Sequence, residues 1–183
     1  MLDPLVTQSP LLKGETRLTP QDVPLPIRAL ILILMCLMQL GAYFSTDIPG
    51  SIQTQLTAWF GPSYTESSNS LLYSVYSWPN CIFPLFSGLI IGKVISVRKS
   101  VMLFSSLVVL GQFIFSIGIS TKSYAFCVIG RFILSIGAES LTVTQDQLLV
   151  RWFKGPSFAI IFGFVLSSAR IGSFLNFIVT PRV

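Results

Sequence analysis

Three charges stand inside long apolar runs of this sequence: Arg131, Glu139 and Arg170. The runs are hydrophobic enough for a lipid bilayer, where a charge near the centre costs about 2.5–3.5 kcal/mol on insertion scales and more in simulations. Such a charge faces a partner, a ligand or a water-filled cavity. A carboxylate can receive an ammonium group, and a planar guanidinium can fork onto a carboxylate through paired hydrogen bonds. Glu139 and Arg170 together could therefore grip a small zwitterion across a central cavity. They could equally form a structural salt bridge between their helices, or bond directly when empty and part around a guest.

Depth in the membrane makes the pair plausible. Glu139 precedes Val150, at the basic end of its run, by 11 residues, or about 16 Å at the rise of an α-helix. Arg170 follows Phe158, at the same end of the next run, by 12 residues, or about 18 Å. The connection between the two runs is short, which predicts antiparallel, adjoining helices. Arg131 stands two turns or more nearer the opposite membrane face. Arg131, Ser135 and Glu139 are spaced i, i+4, i+8 and share one side of their helix. Arg131 is expected to be structural, with Gly130 and Gly137 allowing close packing beside it. Asp146, Gln145 and Gln147 read as a solvated vestibule near the basic end.

The elements that must hold these groups follow from composition. The chain has 183 residues, 52% hydrophobic and 10% charged, against about 25% charged in a soluble domain. That balance predicts an all-α integral membrane protein and leaves no soluble catalytic domain. There is no His, so imidazole catalysis and His metal ligands are excluded. No paired carboxylates and no nucleophile motif suggest an enzyme, and no cofactor or metal site is expected. Cys36, Cys81 and Cys127 lie in apolar runs without metal-ligand spacing and read as packed side chains.

A bilayer core needs about 20 apolar residues per helix. Five spans satisfy this, at about residues 29–55, 71–91, 101–119, 124–150 and 158–179. Tyr43, Thr46 and Asp47 are polar groups near the far end of the first, and Tyr43 is a candidate substrate contact. Pro79 and Pro84 bend the second, which neighbouring spans tolerate. Gly88 and Gly92 in the second span, and Gly111 and Gly118 in the third, mark close helix contacts. Residues 1–27, with five prolines, read as a disordered tail. Leu11 and Leu12 within it are a candidate sorting signal, although Thr7 stands where such signals carry an acid. Residues 57–69 contain no acceptor for an N-linked glycan.

Basic residues set the orientation. With the N-terminus in the cytosol, Lys13, Arg17, Arg28, Lys93, Arg98, Lys99, Arg151 and Lys154 are cytosolic, and only Lys122 and Arg182 lie opposite. This is the bias of cytoplasmic loops. It explains the net charge of +5 without nucleic acid.

The basic loop after the second span, the pattern Arg131-x-x-x-Ser135-x-Gly137, and Trp152-Phe153-Lys154-Gly155 resemble the major facilitator superfamily. The strings at residues 76–80 (YSWPN), 137–141 (GAESL) and 168–173 (SARIGS) are similar to a branch that carries dipeptides out of lysosomes. The resemblance covers residues 29–176. It implies twelve spans in two six-helix halves with substrate between them, so this chain would be a truncated N-terminal half. It also implies a multi-pass lysosomal membrane protein that acts as a dipeptide uniporter, with a glycosylated lysosomal membrane protein as accessory partner. Glu139 would bind the peptide amine and Arg170 its carboxylate. Lys93 and Arg98 would belong to the cytosolic gate, where Gly92 replaces the usual acid. A fragment of this length is expected to be inactive alone. The alternatives are a non-transporting chain that binds the accessory protein or the full-length transporter, and a facilitator for another small organic solute.

Overall fold

The computed structural model describes residues 24–91, 94–153, 155 and 158–182, apart from the Ser63 side chain. Leu11, Leu12, Lys93 and all of the N-terminal tail before Pro24 lie outside the described residues. Among the described residues seven α-helices follow in order: α1 (Leu25–Thr46), α2 (Ile48–Ser51), α3 (Gln53–Phe60), α4 (Glu66–Ile90), α5 (Val97–Ser120), α6 (Tyr124–Trp152) and α7 (Phe158–Val179). Helix α1 starts at Leu25, with a proline in its first turn, where the missing N–H costs nothing. It thus takes in the last residues assigned to the tail.

Five helices are long enough to span a bilayer, and α1, α5, α6 and α7 are also apolar enough to do so by composition. Helix α4 is 25 residues long but carries serines, asparagines, tyrosines and two internal prolines, which lower its hydropathy. The remaining large apolar side chains point outward: Leu34 and Leu37 on α1, Leu85 and Phe86 on α4, Val109 and Phe113 on α5, and Phe164 and Phe174 on α7 are exposed. In water these would be a liability, whereas in a bilayer they are the solvated surface.

The first span is broken, where a continuous helix to about residue 55 was expected. Helix α1 ends at Thr46, and α2 and α3 follow as two short pieces. Pro49 is the cause. It has no N–H to give the Ser45 carbonyl, and the next amide, Gly50, turns to Asp47 O at 3.2 Å. The last carbonyls of α1 are therefore left for another donor.

Helix α6 is the hub. Half of its apolar window is buried, against 17–22% for α1, α5 and α7. It packs against α5 along its length and against α4, while α7 packs against α1. Four glycines close the α5–α6 contact. A methyl group on Gly111 would lie 2.5 Å from the Leu134 amide nitrogen, and one on Gly118 would lie 2.6 Å from that of Cys127. From the other side, Gly130 meets Phe115 and Gly137 meets Val108 in the same way. The pairing is antiparallel, and backbone-to-backbone approach of this kind is what small residues permit in lipid.

Helix α7 joins α1 in parallel. Gly172 rests on the Leu40 carbonyl, and Asn176, fully buried, donates from Nδ2 to Phe44 O at 2.6 Å. The expectation that the fourth and fifth spans are antiparallel neighbours holds only near their connection. Their helices, α6 and α7, meet through Leu149 and Val165 with Met35 of α1 between them, at the end near their connection. A short loop makes two helices antiparallel, but the better surface for α7 is the one that α1 offers.

Candidate functional site

Glu139 sits on the side of α6 that faces α4. Tyr76 Oη and Asn80 Nδ2 each donate to its Oε1 at 3.0 Å. Tyr76 and Asn80 are one turn apart on α4, so they reach the same oxygen together. Ser135, one turn before Glu139 on α6, donates from Oγ to Asn80 Oδ1 at 2.6 Å and also points at the Tyr76 carbonyl. Thr46 Oγ1 stands 3.5 Å from Tyr76 Oη and links the group to the end of α1. Glu139 itself is half-buried. Among the described residues its other oxygen, Oε2, has no hydrogen bond, and it is not fully buried.

Arg170 lies on an exposed face of α7, with its guanidinium carbon 5.9 Å from the centre of the Tyr43 ring. Tyr43 is half-buried on α1 and lies within electrostatic reach of both Arg170 and Glu139. Among the described residues no ion pair joins Glu139 to Arg170. The direct bridge that the sequence allowed for an empty site is absent, because α1 stands between the two helices. Tyr43, in the last turn of α1, thus lies within electrostatic reach of the carboxylate on α6 and the guanidinium on α7.

Arg131 is fully buried. One terminal nitrogen donates to Thr46 O at 2.8 Å and the other to Ser45 O at 3.5 Å. These are the carbonyls that the Pro49 break released. The cation therefore caps the C-terminal, negative end of the α1 dipole. Rings of Tyr76, Tyr73 and Phe115 surround it at 5.0, 5.7 and 6.0 Å. Arg98 is exposed in the first turn of α5. Asp146 is half-buried and Gln145 buried, and Gln145 Nε2 reaches Met35 O at 3.5 Å. Gln145 is a packed bridge to α1 and not part of an open vestibule. The three cysteines are free.

Two cavities open at the ends of the bundle. One of about 390 Å³ lies between Arg28, Trp152 and Ile161, and one of about 600 Å³ between Gly50, Thr57 and Glu66. Neither contains Glu139 or Arg170. Beside the larger one, buried Tyr64 donates to Asn69 Oδ1 at 3.0 Å, and burial raises its phenol above the ordinary tyrosine range.

Sequence reasoning missed Tyr76 and Asn80 as partners of Glu139. The signal was present as a tyrosine and an asparagine at i, i+4 beside Pro79, two hydrogen-bonding groups on one face of an apolar span. It also missed the break of α1 as the acceptor for Arg131, although Asp47 and Pro49 mark it.

Comparison with known proteins bears on the whole arrangement. The chain is 40% identical over 149 residues to the lysosomal dipeptide transporter MFSD1 of Homo sapiens, covering 81% of this chain and 32% of that protein. The Bos taurus protein of the same name is 39% identical, with 81% and 31% covered. That of Danio rerio is 38% identical, with 81% and 32% covered. The chain spans about a third of the length of these relatives. The sequence profile of the Major Facilitator Superfamily matches residues 31–181, from the second turn of α1 to the residue before Arg182. A membrane-suited helical bundle, matched over nearly all its described length, belongs to the Major Facilitator Superfamily.

Proposed function

We propose that this chain supplies the first five spans of a lysosomal dipeptide uniporter, with Glu139 receiving the peptide amine and Arg170 its carboxylate. One observation carries the reading. Among the described residues Glu139 Oε2 has no hydrogen bond and Arg170 no acidic partner, and Tyr43 lies within electrostatic reach of both. Two unpaired opposite charges on apolar helices are costly unless a guest carries both signs. The name of the relatives supplies the guest class, since a dipeptide has an ammonium and a carboxylate at its ends. The exposed face that carries Arg170 would be closed by the part of a full-length transporter that this chain does not span. The cytosolic N-terminus follows from the basic loops, and lysosomal residence and a glycosylated accessory protein follow from the resemblance.

The test is uptake of a labelled dipeptide into vesicles. The chain is reconstituted alone and together with the remaining two thirds of a full-length relative. The expected result is no uptake alone, uptake when complemented, and uptake much reduced but still measurable with Glu139→Gln or Arg170→Ala. Full uptake by both variants would remove the clamp. The length of the chain favours one further reading, a non-transporting fragment that binds the full-length transporter or its accessory protein. Co-purification without flux in any combination would select it.

A further inference from the structure

The geometry points to a positioning shell, Tyr76, Asn80 and Ser135, that fixes Glu139 so that only Oε2 is offered to substrate. The inference rests on the proposal that Glu139 receives an ammonium group, and it adds which oxygen does so and what holds it there. Tyr76 Oη and Asn80 Nδ2, both at 3.0 Å, occupy the two lone-pair directions of Oε1. The Asn80 amide is oriented by the carboxylate, which can only accept, so Nδ2 faces Oε1 and Oδ1 is left toward the Ser135 hydroxyl at 2.6 Å. Ser135 lies one turn from Glu139 on the same helix, so the shell is anchored to the element that carries the carboxylate. Among the described residues Oε2 has no hydrogen-bond partner, and it is not fully buried.

The consequence is a rule of substrate selection. A free N-terminal ammonium can place one of its N–H groups on Oε2 as a charge-assisted bond. An acylated N-terminus offers a neutral amide N–H and forfeits that assistance. No part of the shell meets the first side chain, so it selects for a free amine and not for the residue that bears it.

Two measurements test this. The first needs no transport. The chain has three glutamates, Glu15, Glu66 and Glu139. With carbon-13 in their carboxyl groups and the chain in lipid nanodiscs, Glu139→Gln identifies the Glu139 infrared band by difference. Tyr76→Phe and Asn80→Leu are each expected to shift that band, while Tyr73→Phe, which touches the Arg131 site instead, leaves it in place. The second uses the complemented transporter. Tyr76→Phe and Asn80→Leu are each expected to raise the KM for a dipeptide about tenfold with little change in kcat, the loss of one hydrogen bond to a charged group. Neither is expected to alter handling of an N-acetylated dipeptide, nor to add to the effect of Glu139→Gln. A merely structural role would add. An unmoved band in both variants overturns the shell whatever transport does. A moved band with dipeptide uptake indifferent to Glu139→Gln overturns the substrate reading and leaves the shell without a transport role.

Discussion

Arg131 shows how a buried charge is kept in lipid without an acid bonded to it. Its guanidinium takes the Ser45 and Thr46 carbonyls that Pro49 strands, and three rings cover its faces. Arg131→Leu would leave those carbonyls dry, at about 1–3 kcal/mol for each. Arg131→Lys should fall between the two, because a point charge reaches one carbonyl and lacks the fork. Reversible unfolding in mixed micelles checks the order: native, then lysine, then leucine. Equal stability for leucine and arginine would mean that the α1 end is satisfied some other way. The charges themselves were legible in the sequence, since Arg131, Glu139 and Arg170 stand out in apolar runs. Their immediate partners were not. Tyr76 reaches Glu139 across 63 positions of chain, and Arg131 reaches Thr46 across 85. Side-chain types do not state which helix they will meet.

At the scale of elements, the four glycines of the α5–α6 contact set how closely those two helices cross. They press α6 onto α5, and α4 then packs on the remaining face of α6. Gly111→Val or Gly130→Val should cost about 1–3 kcal/mol or more, because the added carbons meet backbone that cannot retreat. Gly41→Ala and Gly163→Ala meet nothing within 4 Å and should be close to neutral in this chain. Thermal unfolding of the four variants in one detergent separates the two classes, and uniform losses would refute the close crossing. The helices were readable from hydropathy, and the glycine spacing marked the tight contact in advance. Two things were not readable. The break after Thr46 needed both Pro49 and a waiting cation. The partner of α7 depended on Gly172 and Asn176 fitting Leu40 and Phe44 of α1, and the short α6–α7 connection could not reveal that surface.

At the scale of the molecule, the bundle is a membrane protein of the Major Facilitator Superfamily whose outer surface is apolar and whose charges within the spans, Arg131, Glu139 and Arg170, gather around the last turns of α1. Single cysteines placed near Arg98 and near Trp59, in a background lacking the three native ones, should label from opposite sides of a sealed membrane. Labelling of both from one side would refute the topology read from the basic loops. The transport class was legible through the superfamily resemblance. The division of the site by α1 was not, because equal height along two helices says nothing about what stands between them. The most direct measurement is uptake by the complemented transporter of a dipeptide, its N-acetyl form and its C-terminal amide, each with Glu139→Gln and Arg170→Ala. Glu139→Gln should erase the preference for a free amine and leave that for a free carboxylate, and Arg170→Ala should do the reverse. Variants that weaken all three substrates by the same factor would contradict the clamp.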